Sequence, residues 1–210
     1  MFFSPLAFSV GEDGAELMAQ LQARLLNAKR VVIESEVQSR GAVFSQLKGS
    51  AQIDERNRTR LNYSGQFGSK PAALALTADG RSQELRNGPD YRREPVQDET
   101  NRALLIGLLR MGQLHNLARL SGLQAPDHGD GLVERWVTLD NFRPTTYILG
   151  GELEGTLSFG FDVLVNGALA ASARLWLDHV SGLPRRREQT VRFASGEIVV
   201  TENYARFVVE

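Results

Sequence analysis

The chain contains no cysteine, and this absence excludes disulfide bonds, thiol catalysis and cysteine metal sites. It also lacks a long apolar run. Residues 1–10 are apolar, but the stretch is too short to span a bilayer and has no basic segment of the kind that begins a signal peptide. Two locations therefore stay open: the cytoplasm, or the periplasm or cell envelope if a signal peptide was removed.

No excess of one charge marks the chain, because 24 basic and 25 acidic residues leave a net charge of −1. This balance gives no electrostatic reason to expect nucleic acid as a partner. The three histidines, His115, His128 and His179, stand in a helical segment, a glycine-rich loop and a strand end. None has a second ligand at the spacing of a metal pair, so we expect no metal site and no cofactor.

Patterns typical of catalysis are missing, including the Gly-x-Ser-x-Gly elbow, the P-loop and the dinucleotide fingerprint. Glu152 and Glu154 share one strand face and could pair as acid and base, or simply be solvated. The run Arg185-Arg186-Arg187 could bind phosphate, although neighbours in a strand point to opposite faces. Charge that protects an edge strand from aggregation is the alternative. We expect no catalytic residues and no enzyme activity.

The clearest positive signal is an alternating pattern that begins after Glu152. Apolar residues occupy odd positions and polar or small residues lie between them, which predicts a strand with one apolar and one wet face. The apolar set is Leu153, Leu157, Phe159, Phe161, Val163 and Val165, and the other set includes Thr156, Ser158, Gly160 and Asp162. Asn166-Gly167 is typical of a tight hairpin, and three further strands follow it.

The rest of the chain predicts a helix over about 15–29, a meander of five strands, and a helical segment over 99–121. A single domain over residues 1–210 accommodates this order as an α+β fold. We expect a curved antiparallel sheet of roughly ten strands, a half-open β-barrel, with helices covering its concave face.

The second helical segment is rich in leucine and is interrupted by Gly107 and Gly112, so it could act as a movable lid over the sheet. A curved sheet under an apolar lid predicts an apolar cavity between them. The expected lining residues are Ile33, Leu47, Leu61, Tyr63, Leu105, Leu108, Leu109 and Phe159. The alternative is that these side chains fill the space at ordinary packing density.

Several short segments match one family in the same order along the chain. They are KRVVIESEV at 29–37, GSAQI at 49–53, RTRL at 58–61, LTADG at 76–80, LWLD at 175–178 and GLPRR at 182–186. With the order of helix, meander, helices and meander, the chain resembles the bacterial lipoprotein-localisation carrier superfamily (LolA/LolB-like), in an uncharacterised branch.

The resemblance implies a cell-envelope or periplasmic carrier that holds acyl chains of lipids or lipoproteins and is not an enzyme. Its expected partners are a lipid or lipidated protein, with a membrane-associated protein as a further candidate. It also implies a strand arginine that tethers the lid helices, and Arg60 is the candidate for this lid latch. The alternative function is a non-catalytic structural or sensor domain of the envelope with a filled barrel, and the alternative location is the cytoplasm.

Overall fold

The computed structural model describes residues 13–97, 99–120, 133–193 and 196–210. It contains one curved, open, antiparallel sheet and three α-helices, which confirms the predicted α+β class. The helices are α1 (Gly14–Leu26), α2 (Thr100–Met111) and α3 (Gln113–Leu120), and a 3₁₀ turn covers Val133–Arg135.

Twelve strands are present in the described residues, two more than the roughly ten predicted. They are β1 (Arg30–Gly41), β2 (Ser45–Asp54), β3 (Arg58–Phe67), β4 (Lys70–Asp79), β5 (Ser82–Asn87), β6 (Asp90–Pro95), β7 (Val137–Asp140), β8 (Thr146–Tyr147), β9 (Thr156–Val165), β10 (Ala168–Asp178), β11 (Pro184–Phe193) and β12 (Gly196–Val209). The additional strands are β6 and β8. Both escaped prediction because β6 is almost entirely polar and β8 has only two residues.

The strand order is β6-β5-β4-β3-β2-β1-β12-β11-β10-β9-β7, and β8 pairs with β9. The first and second meanders therefore join through β1 and β12, where Val31 lies opposite Val209 and Gly41 opposite Ile198. This pairing brings the two halves of the chain into one sheet. It also places β11 in the interior of the sheet, between β10 and β12.

One face of the sheet, which we call the inner face, packs against the helices. The alternation of β1 puts Val31, Ile33 and Val37 on this face, all at most 1% exposed. Helix α1 contributes an apolar stripe at helical spacing, Leu17, Met18, Leu21 and Leu25. The predicted helical segment 99–121 is confirmed as α2 and α3, whose buried leucines join the same core.

Strand β9 has the predicted inward set, because Leu157, Phe159, Phe161 and Val163 are all buried. The wet outer face predicted for the same strand is wrong at its first half, where Ser158 and Gly160 are also buried. Trp176 lies beside Ser158 on β10 and points to the same outer side, and Arg143 covers Gly160. Alternation reports which residues share a face but not what packs over that face.

No helix in the described ranges is long and apolar enough to cross a membrane.

Candidate functional site

The junction between α2 and α3 is a break at Gly112, which adopts a φ of +92°. A Cβ atom at this position would lie 2.7 Å from Glu202 Oε1 and 3.2 Å from Arg187 Nε. Only glycine fits both the backbone conformation and the close approach of these side chains. The break therefore brings the two helix ends directly against charged side chains of the sheet.

The C-terminal carbonyls of α2 accept hydrogen bonds from two side chains of β11. Arg187 donates from Nη1 to the Leu109 carbonyl (2.7 Å) and from Nη2 to the Arg110 carbonyl (3.1 Å). Gln189 donates from Nε2 to the Met111 carbonyl at 2.9 Å, and its Oε1 accepts from Arg187. A helix end leaves its last carbonyls without intrahelical partners and carries partial negative charge, so a cation here is favourable.

The N-terminus of α3 receives the opposite charge. Oε1 of Glu202, on β12, accepts a hydrogen bond from the Leu114 amide at 3.0 Å. Its Oε2 accepts the Tyr204 hydroxyl at 2.5 Å. A carboxylate at a helix N-terminus satisfies an unpartnered N–H and matches the positive end of the helix dipole. Arg187 and Glu202 are direct neighbours in the β11–β12 register. We call Arg187, Gln189 and Glu202 the latch.

The latch is fully enclosed by the protein. Arg187 is 1% exposed and Glu202 0%, and the guanidinium of Arg187 lies 5.4 Å from the ring centroid of Phe161. Burial lowers the pKa of Arg187, and the Glu202 carboxylate acts in the opposite direction. Because arginine remains protonated in proteins, the structure holds a cation and an acidic side chain inside its apolar core.

Two tyrosines extend this polar cluster along the inner face. The Tyr63 hydroxyl and Ser35 Oγ are 2.6 Å apart, and burial raises the pKa of Tyr63 to about 12. Burial also raises the pKa of Tyr204 well above its usual value, and the Glu202 carboxylate adds to the effect. Both phenols are therefore held neutral, Tyr204 against Glu202 and Tyr63 against Ser35.

Stability should fall in alkali because of these tyrosines. The unfolded chain releases a tyrosine proton near pH 10, whereas folded Tyr63 releases it only near pH 12, so proton release favours unfolding between these values. The stabilisation is complete below pH 10, and about 2–3 kcal/mol is lost as pH rises to 12. Urea unfolding from pH 9 to 12 measures this loss. Tyr63→Phe should show a smaller decline, and parallel curves for the two proteins would contradict the assignment.

The eight residues predicted to line a cavity are brought together by the structure, but as a packed core. All are at most 6% exposed and belong to one apolar cluster. A cavity of about 190 Å³ does lie between the helices and the inner face, at the β4–β6 end. Its apolar lining comes from Leu76, Leu85, Ala103, Leu104 and Leu120, and the predicted eight are not among its described lining residues. Their role as a ligand-binding lining stays a prediction.

The candidate latch residue Arg60 lies on β3 between the inward residues Thr59 and Leu61, with its own side chain exposed on the outer face. The arginine that contacts the helices is Arg187. Arg187 belongs to the run Arg185-Arg186-Arg187, for which the sequence offers phosphate binding or edge protection. Edge protection is wrong, because β11 is an interior strand. One feature of the sequence points to Arg187. Arg187, Gln189 and Val191 are alternate residues of one strand and so share a face, which places a cation on the same face as an apolar residue.

Among known proteins, this chain is similar only to solved structures, and no family model and no curated protein matches it in sequence. Among solved structures, MucB is 15% identical with a TM-score of 0.41, over 93% of this chain and 59% of MucB. The chain thus spans about three fifths of that protein. LprF from Mycobacterium bovis is 10% identical with a TM-score of 0.42, over 95% of this chain and 98% of LprF.

A LolA superfamily protein from Nitrosomonas europaea is 7% identical with a TM-score of 0.35, over 95% of this chain and 94% of that protein. The chain resembles LolA superfamily proteins in structure. These identities and TM-scores are too low to extend the likeness to a ligand, a partner or a role.

Proposed function

We propose that the protein is a non-enzymatic carrier that binds the acyl chain of a lipid or lipidated protein between the inner face of the sheet and helices α2 and α3. A cell-envelope or periplasmic location belongs to the same proposal. The observation that carries it is the latch, which fastens the helix junction to the sheet through buried polar contacts.

Two buried charged side chains, Arg187 and Glu202, are an expensive way to hold a permanent cover in place. Removing two charged groups from water costs several kcal/mol per ion, and well-packed apolar residues of similar volume often stabilise a core as well or better. Polar contacts differ from apolar ones in that water can replace them when the helices move away. The latch therefore fits a cover that has two positions, closed and lifted.

The small volume of the cavity beneath α2 and α3 also favours helices that can move away from the sheet. Ligand pockets usually measure roughly 300–1,000 Å³, whereas the cavity beneath α2 and α3 measures about 190 Å³. A long acyl chain therefore requires the helices to be displaced. Helix α2 buries Leu104, Leu105, Ile106, Leu108 and Leu109, so lifting it uncovers a continuous apolar surface on both the helix and the sheet. An acyl chain would cover that surface again.

Titration with a fluorescent fatty acid tests the proposal. The wild-type protein should show saturable binding. Leu108→Trp should weaken it by roughly tenfold, because the larger ring fills space beneath α2 that the acyl chain needs. Leu149→Trp is the matched control, since Leu149 is 83% exposed and lies in the turn between β8 and β9. It should bind like wild type.

The result that would refute the carrier is an absence of saturable binding to acyl chains of any length by the folded wild-type protein. The close packing of the eight predicted lining residues would then support the alternative, a structural or sensor domain with a filled barrel. Equal weakening by Leu108→Trp and Leu149→Trp would place any binding outside the covered interior.

A further inference from the structure

Exposed apolar side chains gather at one end of the sheet. The hairpins β1–β2, β9–β10 and β11–β12 all turn at this end, because their strands are antiparallel neighbours in one sheet. Phe44 lies in the first of these turns and is 47% exposed. Leu169 and Phe193, at ends of β10 and β11, are 48% and 36% exposed. We call these three residues the rim.

Basic side chains accompany the rim. Arg40, Lys70 and Arg192 are exposed at the same end of the sheet. Acidic side chains at this end include Asp90, in the β5–β6 turn, and Glu197, which pairs with Arg192 at 3.3 Å. Within the described residues, Arg40 and Lys70 form no ion pair. Exposed Phe and Leu side chains can insert at the boundary between headgroups and acyl chains, and basic side chains are attracted to anionic headgroups. The two features coincide at this end of the molecule.

The opposite end of the sheet has exposed apolar residues in a different electrostatic setting. Leu149 and Val180 are exposed in turns there. The turn with Leu149 also contains Glu152 and Glu154, both exposed, and Val180 follows closely after Asp178.

Two arginines lie beside the Leu149 turn, but protein groups already bind them. Arg185 donates to the carbonyls of Glu152 and Glu154, and Arg186 pairs with Glu152 at 3.5 Å. Carboxylates beside these tips oppose contact with an anionic surface. Exposed apolar character alone therefore does not distinguish the two ends, but its combination with charge does.

We propose that the rim docks the protein on the surface of a membrane that contains anionic lipids. The apolar tips enter the headgroup region while Arg40 and Lys70 contact lipid phosphates. The tips come from three separate hairpins along the end of a curved sheet, an arrangement that suits an extended surface better than a single bound molecule. The inference is independent of acyl-chain binding, because it requires neither the latch nor the cavity.

Sedimentation with vesicles tests the docking surface. Vesicles of phosphatidylcholine mixed with phosphatidylglycerol should bind the wild-type protein, more weakly at high salt, and pure phosphatidylcholine should bind it less. The double variant Phe44→Ser/Phe193→Ser should lose roughly tenfold or more in affinity, because two apolar insertions are removed. The matched control, Leu149→Ser/Val180→Ser, removes two exposed apolar tips at the other end and should bind like wild type.

Three outcomes would overturn the proposal. One is a wild-type protein that does not sediment with phosphatidylglycerol vesicles. Another is an equal loss in both double variants. The third is self-association of the wild type without vesicles that Phe44→Ser/Phe193→Ser abolishes, which would make the rim an interface between copies of the chain. Circular dichroism checks that the variants fold. Arg40→Glu/Lys70→Glu, which leaves the apolar tips intact, should also reduce binding to phosphatidylglycerol vesicles.

Discussion

Replacement of Arg187 by methionine should lower the free energy of unfolding by about 3–5 kcal/mol, because it removes a buried cation on which two backbone carbonyls and the Gln189 amide oxygen depend for hydrogen bonds. Methionine fills a similar volume but donates no hydrogen bonds, so the carbonyls of Leu109 and Arg110 lose their partners. The buried Glu202 carboxylate also loses its neighbouring cation. Equilibrium unfolding in urea measures the difference.

Arg60→Met is the matched control for this experiment. It makes the same substitution at the arginine first suggested as the latch, whose side chain is exposed on the outer face. A change within about 0.5 kcal/mol is expected there, as for most surface substitutions. Arg187→Lys should fall between the two, because it keeps the charge but not the planar fork that reaches two carbonyls. Equal costs at Arg60 and Arg187 would show that the latch is wrongly assigned.

Binding of an acyl chain should separate the α2–α3 junction from the sheet, and one backbone amide should report it. Leu114 is near the start of α3, where amides have no intrahelical acceptor, and its hydrogen bond goes to Glu202. When the junction lifts, this amide loses its acceptor and meets water. Its hydrogen exchange should accelerate by roughly a hundredfold, which corresponds to a loss of about 2.7 kcal/mol of local protection.

Much of the fold follows from patterns within the sequence, because strands and helices bury residues at different periods. The inward set of β9 and the helical segment over 99–121 were predictable in this way. The strand count was not, since β6 and β8 carry almost no apolar alternation and exist because a neighbouring strand offers hydrogen bonds. The single-domain organisation over residues 1–210 stays a prediction.

The latch could not be predicted from the sequence alone. Arg187 and Leu109 are 78 positions apart in the sequence. They meet only because β11 is an interior strand whose odd-numbered residues face the helices. Alternation along β3 places Arg60 on the face opposite Leu61, where the structure has its side chain exposed. Finding Arg187 required the pairing of β11 with β12, since that register places its charge beside Glu202 and beneath Gly112.

Hydrogen exchange at Leu114, with and without palmitate, tests most directly the claim that a latched cover opens for an acyl chain. Faster exchange at Leu114 in the presence of palmitate is predicted, with no change at amides of the β11–β12 ladder such as those of the Gln189–Val200 pair. Saturable binding of palmitate with unchanged or slower exchange at Leu114 would contradict the account, because the acyl chain would then be held without release of the latch.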